Sequence, residues 1–177
     1  MQLPQLHEQR AYELVIPHKD QIHRVLNIGF VNLPEVSIRI TEALGITPEF
    51  THLEIFESNA LRGQQQRPDH KIIHGDVRKI LDLDLGTFDL IVWWHGPEHI
   101  YEHELVQALQ DIETLLTPNG AVILGSPDGW QEQHDLDGNV HNDHLSGPDT
   151  AFYTSLGYAS YAVDVPPMSL VAYKTKS

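Results

Sequence analysis

Apolar positions along this chain fall into short blocks set apart by polar turns, and the blocks alternate in period. Arg24–Phe30 (RVLNIGF), Phe50–Glu57 (FTHLEIFE), Lys71–His74, Phe88–Trp94 (FDLIVWW) and Ala121–Leu124 are short apolar runs or partly alternating stretches. Runs of that length read as strands. Between them lie stretches with helical spacing. Pro34–Leu44 has a proline near its first turn and Gly45 as its stop, and Asn59–Gln65 follows Ser58 as a cap. Val77–Leu83 reads as a short helix or turn. A helix with an apolar stripe follows the polar, His-rich turn after Trp94, and Pro118-Asn119-Gly120 precedes the next strand. Arg10–Val15 reads as a short helix ended by Pro17. Asp149–Leu156 reads as one stopped by Gly157.

The last two blocks, Tyr158–Val165 and Ser169–Lys176, are separated by Pro166-Pro167. Adjacent strands with so short a connection pair antiparallel. The order is therefore strand–helix alternation with a terminal hairpin. It predicts an α/β fold: a Rossmann-like, doubly wound, seven-stranded, mostly parallel sheet with a C-terminal antiparallel hairpin. We expect one domain over residues 1–177. Residues 1–23 form an N-terminal extension, and residues 128–148, rich in Gly, Asp, Asn and His, form a long loop on the substrate side.

Ligands of open α/β sheets bind at the carboxyl ends of strands. This directs attention to Trp93, Trp94, His95, Glu98 and His99, where Phe88–Trp94 ends. Adjacent tryptophans on a strand point to opposite faces, so one belongs to the core and the other, Trp94, can stack on a substrate. Trp130, His141 and His144 of the long loop are expected to wall the same cleft. Glu98 or His99 suits a general base, with helix capping by Glu98 and packing of His99 as the alternatives.

Composition narrows the functions. Eleven basic and 25 acidic residues give a formal net charge of -14, which disfavours nucleic acid and anionic lipid partners. There is no apolar run of about 18 residues, as a membrane span needs, and MQLPQLHEQR lacks the features of a signal peptide. The chain has no cysteine, which removes disulfides, thiolate metal sites and cysteine nucleophiles and fits a cytoplasmic location. Histidine is abundant, with 12 residues. His95, His99 and His103 are spaced by four and would share one face of a continuous helix, joined by His141 and His144. Because His95 is placed at the strand end, that helix is broken and no metal is expected. Asp135–Asp143 is faintly like a calcium loop but lacks the closing Glu.

In the order and spacing of "FDLIVWWHGPEHI", "LTPNGAVILGSP" and "HNDHLSGPDTAFYTSLGY", the chain resembles the class I S-adenosylmethionine-dependent methyltransferases from about Arg24 to Lys176. The resemblance implies S-adenosylmethionine as cofactor and a binding set of Asn27, Gly29, Phe30, Glu57, Ser58, Asp76 and Val77. Glu57, taken as the end of the second strand, matches the ribose-binding acid. Asp76 and Val77 match the adenine-binding pair, and His95 and His99 match the histidines after the fourth strand, which with Glu98 are the candidate catalytic residues. The implied function is methyl transfer to an oxygen or nitrogen of a small-molecule substrate. The oligomeric state stays open.

The first turn departs from the family pattern. Asn27 stands at the acidic position and Gly29 at the first glycine, while Val31 and Leu33 replace the other two. A valine is poorly suited to positive φ and takes space, so Val31 is expected to crowd the cofactor position. This keeps open a methyltransferase-fold protein without catalysis that serves as a binding or assembly module, and the histidines keep open a third reading, a metal-dependent enzyme on the same scaffold.

Overall fold

A computed structural model of the chain describes residues 8–31, 33–135, 139–165 and 168–177, with the side chains of residues 164–169 left aside. Seven strands form one sheet: β1 (Arg24–Ile28), β2 (Glu49–Glu54), β3 (Lys71–His74), β4 (Phe88–Trp94), β5 (Leu116–Ser126), β6 (Ala159–Val165) and β7 (Met168–Thr175). Their order is β3-β2-β1-β4-β5-β7-β6. The pairs among β1 to β5 are parallel, whereas β7 runs antiparallel to both β5 and β6. This is the doubly wound sheet with a terminal hairpin that the alternation predicted.

The helices are α1 (Gln9–Val15), α2 (Val36–Leu44), α3 (Glu57–Gln66), α4 (Glu102–Thr114) and α5 (Thr150–Ser155), with 3-10 turns at Ile16–Gln21, Val77–Leu83, Pro97–His99 and Val140–Asn142. Helix α2 ends at Gly45, which adopts φ +71 and supplies the left-handed cap read from the sequence. Asp149 caps α5 by accepting from Phe152 N at 2.7 Å. The first α-helix ends at Val15 as expected, and Pro17 sits in the first turn of the 3-10 segment that follows it. One expected boundary moves: Ser58 is not a cap, because α3 begins at Glu57, two residues before the expected Asn59, with Phe56 at its N-cap. Among the described residues, no helix is long and apolar enough to cross a membrane. Residues 136–138 of the faintly calcium-like stretch and the Pro166-Pro167 break lie outside the described residues.

Both faces of the sheet are covered, which explains the unbroken apolar runs of β4 and β5. Alternation sends Leu90, Val92, Trp94, Ala121 and Ile123 to one layer, against Ala11 and Val15 of α1 and Val36 and Ile40 of α2. It sends Ile91, Trp93, Val122 and Leu124 to the other, against Leu105, Leu109 and Ile112 of α4 and against Tyr153 of α5. Glu113 of α4 ties the hairpin down by accepting from Lys174 Nζ at 2.8 Å and from the Tyr158 hydroxyl at 2.9 Å.

Candidate functional site

The sheet order places β1 beside β4, so the chain winds outward in both directions from that pair. The crevice above such a switch point is the expected ligand site. Here it is a cleft of about 430 Å³, walled by the carboxyl ends of β1, β2, β3 and β4 and closed on one side by the late loop.

Its floor is the first turn. Gly29 takes φ +75, a conformation that costs glycine little, and donates its N–H to Leu53 O at 2.7 Å. Asn27 is buried below the turn and outside the cleft lining. Its amide donates to Gly29 O at 3.0 Å, and its Oδ1 accepts from Ser37 Oγ at 2.8 Å. Asn27 therefore braces the turn from below. Val31 does not need positive φ, since Asp84, His95 and Asn119 are the non-glycine residues in that region among those described. It lines the cleft and is 65% exposed there, with its carbonyl held by Arg62. The positive φ of the turn is met at Gly29.

The acidic wall lies three residues upstream of where the sequence placed it. β2 ends at Glu54, and Glu57 and Ser58 are exposed on the first turn of α3, away from the cleft. Glu54 is buried, and its carboxylate accepts from Phe30 N at 2.7 Å and from Phe56 N at 2.9 Å. Burial raises its pKa against the pull of these two N–H groups. A carboxylate offers about four lone-pair sites, so Glu54 can clamp the turn and still accept from a ligand's hydroxyls. The sequence signal was present: Glu54 is the first acid after Leu53. The apolar Ile55 and Phe56 lengthened the apparent strand, yet they line the cleft and do not pair in the sheet.

Asp76 and Val77 stand at the end of β3 and line the cleft. Burial pushes the Asp76 carboxyl up, but Arg78 pulls it further down through its guanidinium and backbone N–H, so its net pKa lies below the usual range. The guanidinium sits 2.6 Å from Asp76 Oδ2. Glu35, Phe56, Asn59, Ile100, Gln133 and Asn142 also line the cleft, none of them singled out from the sequence.

At the far end, β4 delivers Trp93 and Trp94. Both are buried, one in each layer, and both reach the cleft. Gly96 is obligatory here, because a Cβ on it would lie 1.9 Å from Trp93 Nε1. His95 takes φ +52 and is held there by its N–H to Gly125 O at 2.9 Å. A histidine in the left-handed region stores about 1–2 kcal/mol of strain, and such outliers cluster at functional sites. Replacing His95 by glycine should give a protein about 1 kcal/mol more stable than the alanine variant, measured by urea unfolding; equal stabilities would show that His95 carries no strain.

Glu98 is 2% exposed. Its Oε1 lies 3.5 Å from His95 Nδ1 and 4.0 Å from His99 Nε2. The late loop closes over this group: Glu98 O accepts from Leu145 N at 2.8 Å and from Ser146 N at 3.2 Å. His144 is thereby buried against His99, with ring centroids 5.0 Å apart. His141 reaches the cleft beside Phe56. One expectation fails. Trp130 is 60% exposed and outside the lining, because the loop turns its backbone, not its ring, onto Gly147. His103 sits on α4, stacked on Tyr101 and outside the lining, so His95, His99 and His103 do not share one helix, in line with the expected break after β4.

Comparison with known proteins bears on this geometry. A methyltransferase domain family model matches residues 37–124. The match begins after the altered first turn and runs from α2 to β5. No curated protein matches the sequence at a significant level. Solved structures do match the fold. An O-methyltransferase family protein from Burkholderia thailandensis superposes with a TM-score of 0.65 at 8% identity, over 96% of this chain. This chain spans only 56% of that protein's length. The N-methyltransferase NodS from Bradyrhizobium japonicum, in complex with S-adenosylhomocysteine, has a TM-score of 0.66 at 14% identity, covering 96% of this chain and 87% of its own. The amino pentose methyltransferase CalS10 from Micromonospora echinaspora, with S-adenosylmethionine bound, has a TM-score of 0.65 at 15% identity, covering 96% and 90%. Residues 37–124 thus match a methyltransferase domain model, and the fold of the whole chain is that of the class I S-adenosylmethionine-dependent methyltransferases.

Proposed function

We propose that this protein binds S-adenosylmethionine in the cleft above β1 and β4 and transfers its methyl group to an oxygen or nitrogen of a small molecule. The observation that carries the reading is the Glu54 clamp: a buried carboxylate at the end of β2, reaching across to Phe30 N, with lone pairs left over. In this reading Glu54 accepts from the ribose hydroxyls, Gly29 and Phe30 form the floor, and Val77 packs on the adenine. Asp76, held ionised by Arg78, accepts from the adenine amine. Bound here, S-adenosylmethionine supplies an electrophilic methyl group.

The chain's part is alignment and proton handling. His95 is the most exposed polar group of the catalytic turn, and its Nδ1 faces Glu98. Nε2 is then left to take the acceptor's proton as the new bond to the methyl carbon forms and the cofactor leaves as a thioether. The late loop roofs the cleft through His141 and His144. That roof, with a net charge of -14, suits a small acceptor better than a polynucleotide.

The test is acceptor-dependent formation of S-adenosylhomocysteine over a panel of hydroxyl, amine and carboxylate compounds. Replacing His95 by glutamine should lower kcat by about 100-fold or more and leave cofactor affinity nearly unchanged. Cofactor binding without product from any acceptor would identify a binding module instead.

A further inference from the structure

Glu98, His99 and His144 make an arrangement that proton handling by His95 does not explain. His99 Nδ1 lies 3.0 Å from Asp143 O, and His144 Nδ1 lies 2.7 Å from Gln131 O. A backbone carbonyl can only accept, so each Nδ1 carries a hydrogen and donates it. A ring that carries its one hydrogen on Nδ1 presents a bare Nε2 lone pair. His99 Nε2 faces Glu98 Oε1 across 4.0 Å, which sets a lone pair against a carboxylate with no donor between them. Glu98 Oε2 is buried and has no hydrogen-bond partner. Buried acceptors left facing one another are costly unless a proton or a cation lies among them.

We infer that Glu98, His99 and His144 hold a divalent transition-metal ion at the acceptor end of the cleft. One ligand atom from each of the three lies within 4.8 Å of the others. Among the described residues this is the one place where three such groups gather. Bonds of about 2.0–2.2 Å would draw the ligand atoms to roughly 3.3 Å apart, a contraction within reach of side-chain rotation. Two imidazoles and one carboxylate suit zinc and its first-row neighbours, not magnesium or calcium, which take oxygen ligands. The Nδ1 bonds to Asp143 O and Gln131 O are the outer contacts that fix tautomer and ring orientation at metal-binding histidines. All three residues line the cleft, so the ion's remaining position would face an acceptor's oxygen, where it would favour the deprotonated form. The ligand assignment does not depend on the methyl-transfer reading.

The test uses full-length protein without an affinity tag, stripped with chelator and titrated with zinc chloride by calorimetry, with neither cofactor nor acceptor present. One ion per chain should bind. Affinity should fall at least about tenfold in Glu98→Gln and in His144→Ala, and stay unchanged in His103→Ala and His134→Ala, which alter histidines outside the triad. Cobalt(II) should give the visible absorption of a low-symmetry, nitrogen-ligated site in the wild type, and His144→Ala should abolish it. Thermal melts identify any variant that fails to fold; if one of Glu98→Gln and His144→Ala does, the other, with the wild-type cobalt spectrum, decides. Absence of saturable zinc binding to the stripped wild type would overturn the inference. So would binding that survives both Glu98→Gln and His144→Ala.

Discussion

Replacing Glu54 by glutamine should weaken S-adenosylhomocysteine binding by about 100-fold, whereas the same change at Glu57 should alter it less than about twofold. The contrast follows from geometry. Glu54 accepts two backbone N–H groups, from Phe30 at 2.7 Å and Phe56 at 2.9 Å, on two different oxygens. Glutamine keeps one oxygen, so one of these N–H groups would meet an amide NH₂ and the first turn would lose its hold on β2. Bonds to an ionised acceptor contribute about 1.5–3 kcal/mol each, so the variant should also lose roughly 2 kcal/mol of stability. Glu57 is exposed on the first turn of α3 and does not line the cleft. Calorimetric titration of both variants, with urea unfolding alongside, separates a cofactor effect from a folding effect. Equal affinities for the two variants would return the ribose role to Glu57 or remove it from both.

Acid should destabilise the protein through one buried histidine outside the cleft lining. His52 is fully buried on β2, grouped with the rings of Phe50 and His70, with its Nε2 2.9 Å from His70 Nδ1. Burial, reinforced by His70 and Arg67, lowers its pKa to about 3. In the unfolded chain the same ring titrates near 6.5. Between these values the unfolded state binds the proton and the folded state does not. The stability His52 allows is therefore present above pH 6.5 and is lost as pH falls toward 3, at up to about 1.4 kcal/mol per pH unit. From pH 7 to pH 5 the loss is about 2 kcal/mol.

The pKa of His70 is also lowered by burial, so it acts in the same direction. Glu35 and Glu54, whose pKa values burial raises, act oppositely. A variant isolates the term: His52→Asn should lose about 2 kcal/mol less than the wild type between pH 7 and pH 5, whatever its stability at pH 7. Parallel pH curves for the two proteins would contradict the assignment.

How far the sequence reached differs between fold and site. β3 and β4 were legible to the residue because their apolar runs end at abrupt polar turns. β2 was overrun by three residues, because Ile55 and Phe56 are apolar for the sake of the cleft, and a strand pattern cannot tell cleft wall from core. The first turn was legible only in part. Val31 breaks a glycine pattern, but the positive φ that such a pattern serves is needed only at Gly29, and Val31 lines the cleft from an exposed position. The pairing of His99 with His144 had no local signal. Some 45 residues separate them, and backbone bonds from Leu145 and Ser146 to Glu98 O bring them together. Trp130 shows the opposite error: a large aromatic in the right loop suggested a cleft wall, and the loop path leaves it in solvent.

The account rests on the altered first turn leaving room for the methyl donor. Calorimetric titration of the wild-type chain with S-adenosylmethionine tests that most directly. It should show saturable binding of one cofactor per chain, competed by S-adenosylhomocysteine and accompanied by a rise in melting temperature. Absence of heat and of any thermal shift at millimolar cofactor would contradict it.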